Sequence, residues 1–207
     1  MNSTIKFRFL LAFFFAASIS SAQDSIVKKD AEKSFGVFNL SAIYAVPIGN
    51  SFVKDGFEIK PGFAFDFHFN INKTPILLGF HFRSFDADIK NTDVVGNYTD
   101  SDITYIGIKL GYQYILNDDF RVSAFLGVGS RKYHNSEPVN SDFSFRDGGT
   151  SVPFTIEFDY QFSKYFGAFA STGYQIDFLD INAPPEIRGD FDTVDYINFQ
   201  LGMRIAF

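Results

Sequence analysis

The eleven residues INFQLGMRIAF, Ile197 to Phe207, decide how this chain folds. Ile197, Phe199, Leu201, Met203, Ile205 and Phe207 alternate with Asn198, Gln200, Gly202, Arg204 and Ala206. A two-residue rhythm marks a strand whose faces meet different surroundings, one apolar and the other water or charge.

The same rhythm recurs seven more times upstream. It runs over Phe38 to Val46, Phe63 to Ile71, Ile76 to Arg83, Ile106 to Tyr114, Arg121 to Gly129, Phe154 to Phe162 and Phe166 to Asp177. Between these strands short and long connections alternate. Asn72 to Pro75, Asn117 to Asp119 and Ser163 to Lys164 are tight turns built from reversal-prone residues. Pro47 to Lys60, Asp86 to Asp102, Lys132 to Ser151 and Leu179 to Asp195 read as long polar loops. An even strand count with alternating turns and loops predicts an all-β, eight-stranded antiparallel transmembrane barrel, with turns and both termini in the periplasm and loops outside the cell.

Volume fixes which face is inside. A soluble eight-stranded barrel turns its apolar side chains inward, and its interior holds only packed side chains or one small ligand. Here the apolar face carries several Phe, Tyr, Ile or Leu on nearly every strand, too much bulk for that interior, while the other face is rich in Gly, Ser, Ala and Asn. Lipid outside is the consistent assignment, since water would otherwise meet a very large apolar patch. Tyr112, Tyr114, Tyr160, Phe162, Phe166 and Phe207 then ring the periplasmic rim, with Tyr44 and Tyr174 near the opposite one.

The N-terminus fits this destination. Lys6 and Arg8, the apolar run Phe9 to Ala17 and the small residues Ser20, Ser21 and Ala22 form a secretory signal over residues 1 to 22, followed by a polar lead over 23 to 33 and the barrel over 34 to 207. The apolar run is far shorter than the roughly 20 residues a spanning helix needs. Loss of Lys6 and Arg8 with the signal takes the net charge from -6 to -8, which argues against a nucleic-acid backbone as partner. Cysteine is absent, so disulfides, thiolate metal sites and a lipid-anchoring cysteine are all excluded.

With the apolar face outward, the lumen receives Asp66, Glu157, Asp159 and Asp177 together with Arg83, Lys109, Arg121 and Arg204. Charges in a narrow interior must pair to offset desolvation, so the expectation is an ion-paired plug rather than a wide pore. The first tight turn sets Ile71 opposite Ile76, and hence Asp66 opposite His81, a carboxylate beside an imidazole. No nucleophile among Ser41, Ser123 and Ser171 is placed beside it, so His81 reads as part of the plug. His134 and Ser136, beyond the fifth strand, resemble the His-x-Ser arrangement of outer-membrane lipid A deacylases. Strand parity would turn both toward lipid, but their neighbours Lys132, Glu137, Pro138 and Asn140 read as loop, and the local pattern supplies no acid. The acidic loop residues Asp86, Asp88, Asp93, Asp100 and Asp102, and Asp180, Glu186, Asp190, Asp192 and Asp195, lack the spacing and glycine of a calcium loop and read as solvated charge. No cofactor or metal is expected.

On strand count, loop alternation, Phe-rich faces and the closing Phe207, residues 34 to 207 resemble the small eight-stranded outer-membrane barrels of the OmpA and OmpX type, and more closely the PorT-like outer-membrane β-barrel proteins. The resemblance implies a Gram-negative-type cell envelope and a C-terminal strand read by the barrel assembly machinery, with Phe199, Leu201, Met203, Ile205 and Phe207 as the assembly signal. No peptidoglycan-binding domain follows Phe207, unlike full-length OmpA-like proteins. The implied role is a non-enzymatic surface protein acting through its loops in envelope integrity, adhesion or secretion support. Its partners would be membrane lipid, surface glycolipid and an extracellular or secretion-system protein. A lipid-modifying enzyme is the second reading and a small-solute channel the third.

Overall fold

A computed structural model describes residues 36–136, 144–181 and 191–207. The expected signal and polar lead lie outside the described residues. The strands are β1 (Gly36–Ile48), β2 (Phe57–Ile59), β3 (Gly62–Asn70), β4 (Ile76–Ile89), β5 (Asp100–Ile115), β6 (Phe120–Ser136), β7 (Ser144–Gln161), β8 (Phe166–Leu179) and β9 (Thr193–Ala206). Two one-turn helices, α1 (Phe52–Gly56) and α2 (Thr92–Val95), follow β1 and β4.

Eight strands close into an antiparallel barrel in the order β1-β3-β4-β5-β6-β7-β8-β9, with β9 pairing back on β1. Gly36 and Phe207 seal the closure by exchanging two backbone hydrogen bonds of 3.0 Å. Going round through β3 and β4, Ala42 reaches Thr104 on β5 by way of Phe63 and Ser84. Going the other way, through Leu201, Ala170, Phe158 and Val122, it reaches Tyr114. That stagger of ten residues tilts the strands and, with eight strands, fixes a narrow lumen filled by side chains.

The three tight turns fall where the sequence puts them. Asn72 takes the left-handed conformation (φ 48°) that asparagine tolerates. Asn117 accepts the backbone N–H groups of Asp119 and Phe120 at 2.9 and 2.8 Å, and Ser163 accepts that of Phe166 at 3.0 Å.

At the opposite, loop end the strands run further than the alternation suggested. β4 continues to Ile89, β5 starts at Asp100, β6 reaches Ser136 and β7 starts at Ser144. The loop expected over Pro47 to Lys60 is instead α1 and β2, both largely buried. β2 continues the line of β3 along β4, but Ile59 faces Ala87 whereas Phe63 faces Ser84, one more residue than β4 spends over the same length. This bulge at Lys60–Pro61 flips the strand's parity, so Phe57 and Ile59 point inward above it while Ala64 and Asp66 do so below.

The barrel is inside out relative to a soluble one. Leu40, Ile108, Leu110, Leu126, Phe158 and Leu201 stand outward and exposed, Leu201 at 69%, while Arg83, Arg131 and Arg204 are 2% exposed or less. Among the described residues no helix is long and apolar enough to cross a membrane. The exposed apolar belt lies on the strands.

Candidate functional site

The lumen is layered. In its middle, Lys109 donates to Asp66, and its ammonium sits 4.0 Å from the centre of the Phe125 ring. Asp66 pairs with His81 across the β3–β4 ladder as the turn requires, the carboxylate 3.8 Å from Nδ1. Nε2 of His81 accepts a hydrogen bond from Arg83 Nε at 2.7 Å, so that nitrogen is engaged and cannot serve as a base. Arg83 also donates to Gln175 at 2.6 Å and Thr155 at 3.3 Å. Ser171, Asp66, His81 and Glu157 share a cavity of about 10 Å³, which holds no more than a water. The paired His81 is therefore a plug residue with no room for a substrate beside it.

Toward the turn end, Asn39 donates to Glu157 at 3.1 Å, Arg204 lies 3.8 Å from Asp159, and Arg121 donates to Gln161. Toward the loop end, Gln175 donates to Asp177 at 2.7 Å, and Asp177 faces Arg131 Nε at 2.9 Å. Arg131 is stacked among Phe85, Tyr196 and Tyr133, with the two tyrosine hydroxyls 2.8 Å apart. Asp66, His81, Arg83, Lys109, Arg121, Glu157, Asp159, Asp177 and Arg204 are all buried. Arg131 joins the lumenal cations, and Asp147, the cross-strand partner of buried Tyr133 and acceptor of a hydrogen bond from buried Asn135, joins the carboxylates.

Arg131 and Tyr133 were missed because the polar run after Gly129 read as loop. Continuing the odd-numbered parity of β6 past Gly129 would have placed both inside. Phe125, Phe169 and Tyr105 also point inward against the expectation of a small-residue interior. Glycines make room for them. A Cβ on Gly111 would come within 2.3 Å of the Phe125 ring, and one on Gly107 within 2.2 Å of the Tyr105 hydroxyl.

The loop-end mouth is closed by an apolar cap. Phe52 and Val53 of α1 descend onto Ile43, Ala45, Phe57, Ile59, Phe85, Ala87, Ile103, Val194 and Tyr196. Phe52 stacks on Phe191 at 4.8 Å and tilts against Tyr133 at 6.0 Å. Gly56 accepts the backbone N–H groups of Lys90 and Asn91, which ties α1 to the β4–α2 connection. Above the Arg131–Asp177 layer the interior is mostly apolar, with Ser101 and Asn135 buried there as well. Apolar packing above it and an ionic layer below close the barrel twice.

On the outer wall near this end, the row Asp86, Asp102, His134 runs across β4, β5 and β6. His134 and Ser136 lie in β6 rather than in a loop, on its outward face beside buried Tyr133 and Asn135. Burial and a hydrogen bond with Asp86 raise the Asp102 carboxyl above its usual range. Lys60, on the surface, is bonded to Asp88 at 2.6 Å, which raises its ammonium's pKa. Among the described residues, no group of His, Asp and Glu is arranged to hold a metal ion.

Comparison with known proteins places this architecture. The sequence model of the family described as "Domain of unknown function (DUF2715)" matches residues 6–204. No curated protein matches in sequence. Among solved structures, Neisserial surface protein A is similar at 10% identity with a TM-score of 0.57, covering 84% of this chain and 98% of that one. Ail, the attachment invasion locus protein of Yersinia pestis, is similar at 17% identity, TM-score 0.53, covering 84% and 99%. The outer membrane protein OprG of Pseudomonas aeruginosa is similar at 10% identity, TM-score 0.55, covering 86% and 99%. At these identities the likeness establishes the fold, that of small outer-membrane β-barrels.

Proposed function

The chain belongs to the family defined by the domain of unknown function DUF2715, and from its barrel we propose that it is an integral outer-membrane protein acting at the cell surface without conducting solutes. The observation that carries this reading is the pairing of an exposed apolar belt with a lumen closed at two levels. A belt of that kind is stable only in hydrocarbon, and a closed barrel leaves no backbone edge unsatisfied there.

The short turns and both chain ends face the periplasm, and the loop end faces outward. The cap, α1, α2 and the strand extensions then form a rigid platform above the membrane, where loops can engage surface glycolipid or an extracellular or secretion-system protein. Envelope integrity, adhesion and secretion support are the roles such a platform serves. Two of the similar structures are those of a surface protein and of an attachment invasion locus protein, which accords with this reading. Phe199, Leu201, Met203, Ile205 and Phe207 serve as the signal for the assembly machinery.

Cysteines introduced singly at Asn91, in the β4–α2 connection, and at Asp118, in the β5–β6 turn, test the orientation on intact cells with a membrane-impermeant maleimide. Labelling at Asn91 alone is expected. Labelling at Asp118 alone would overturn the assignment.

A further inference from the structure

We propose that the outer wall of β5 and β6 carries an ester-hydrolysing relay in which Ser136 is the nucleophile, His134 its base and Asp102 the residue that orients the imidazole. This goes beyond the surface-platform reading, which asks no chemistry of the barrel and stands whether or not the relay does. The substrate class is a carboxylic ester presented to the outward face above the apolar belt, on a lipid or in solution.

The placement follows from register. Asp102 is the direct cross-strand partner of His134, so their Cβ atoms stand about 5 Å apart, within reach of a carboxylate–imidazole contact. An electrostatic interaction with His134 favours the ionised form of Asp102, whose carboxyl is also hydrogen-bonded to Asp86. Ser136 lies two residues along the same strand face as His134, and both side chains are partly exposed. In the relay one imidazole nitrogen faces Asp102 across the ladder and the other faces Ser136 along the strand. Lys132, exposed on the same face, sets a cation on the other side of His134.

The row is costly to build, because Asp86 and Asp102 oppose each other directly and like charges in that position destabilise a sheet. A costly arrangement of titrating groups beside a histidine and a serine is the pattern expected of a chemical site. His81 in the lumen has no such access, because its surroundings exclude substrate.

The step balances without a cofactor. Ser136 Oγ attacks the ester carbonyl as its proton passes to His134, and the tetrahedral adduct then expels the alcohol, which takes that proton. An acyl group is left on Ser136. Water adds to it with His134 again accepting the proton, and the carboxylic acid departs as Ser136 is restored.

The full-length protein folded in detergent, checked by heat-modifiable migration, is incubated with a fluorophosphonate probe and separately with a 4-nitrophenyl acyl ester and with vesicles of an ester phospholipid. Labelling mapped to Ser136 and release of nitrophenol or fatty acid are expected. S136A should abolish both, and H134A should lower turnover on the order of 10²–10⁴-fold. As a positioning change, D102N should lower kcat while leaving KM unchanged, and S130A on the same face should match the wild type. Turnover of the vesicles alone assigns a lipid ester, and turnover of the nitrophenyl ester alone a soluble one. Folded wild type with no labelling and no turnover, or turnover that survives in S136A, sinks the relay.

Discussion

Arg131 Nε lies 2.9 Å from Asp177 Oδ2, with both side chains fully buried at the boundary between the ionic lumen and the apolar cap. The pair draws on three strands, β6, β8 and, through Tyr196, β9, so it pins the wall at the level where the mostly apolar interior begins. Removing one partner of a buried pair strands the other charge, which costs about 3–5 kcal/mol. R131A and D177N should each lower the temperature at which the heat-modified band appears, while R131A/D177N should lose clearly less than the two added together. Additive losses would show that the two charges do not act as a pair.

Phe52 is the centre of the cap, packed against Phe57, Tyr133 and Phe191. Truncation to alanine leaves a cavity in a packed apolar cluster, a change that costs about 3–5 kcal/mol for a phenylalanine. The lumen should nonetheless stay closed, because the Lys109–Asp66 and Asn39–Glu157 contacts lie beneath the cap and do not depend on it. Planar-bilayer recordings should show neither wild type nor F52A forming a large, steady conductance, although F52A unfolds earlier in urea.

These two layers show what could be read from residues alone and what could not. Alternation located eight strands, the three turns and the side-chain parity that brings Asp66 opposite His81, since a period of two leaves only one choice of face. The cap was hidden because its elements are short and break the rhythm: α1 is a single turn, and β2 lies beyond a bulge that reverses parity. Arg131 was hidden for a different reason. Extensions of the strands past the apolar belt are polar outward, so amphipathic contrast fades while pairing continues, and only pairing partners reveal the strand.

Asp102 supplies a pH test at the loop end. Burial and the bond with Asp86 raise its folded-state pKa above the ordinary 3.8, so the folded chain pays to ionise it and the unfolded chain does not. Stability from this group is complete below pH 3.8 and is lost as pH rises through the raised value. D102N, which keeps a hydrogen-bonding amide for Asp86, should therefore melt higher than wild type at pH 7. The gap should close as pH falls to 3.8. A gap unchanged across that window would assign the gain to something other than this carboxyl.

Phe207 closes the barrel twice, through its backbone pair with Gly36 and through its ring, stacked at 6.0 Å on Phe67 of β3. F207A keeps the backbone pair and removes the stack and the terminal aromatic. Purified and refolded, F207A should differ modestly from wild type, since one exposed ring contact at a strand end is worth about 0.5–1.5 kcal/mol. On the proposed role of this aromatic in assembly, the heat-modifiable form should fall several-fold in cells. Equal losses in the two settings would remove the assembly role.

The bulge at Lys60–Pro61 gives the most specific prediction of side-chain direction. Proline has no N–H to give a ladder and suits such an interruption, and Lys60 N–H donates to Asp86 O at 2.8 Å across it. Deleting Pro61 would leave three steps from Ile59 to Phe63, matching the three from Ala87 to Ser84 on β4, so continuous pairing would keep Phe57 and Ile59 facing inward and leave Glu58 outside. The deletion should therefore remove the bulge and keep the cap packed. Hydrogen exchange should show β2 and α1 as protected in the deletion variant as in the wild type. P61A, which retains the bulge, should likewise leave the cap protected, and a cap lost in the deletion variant alone would mean that the added residue itself is needed to hold β2 in place.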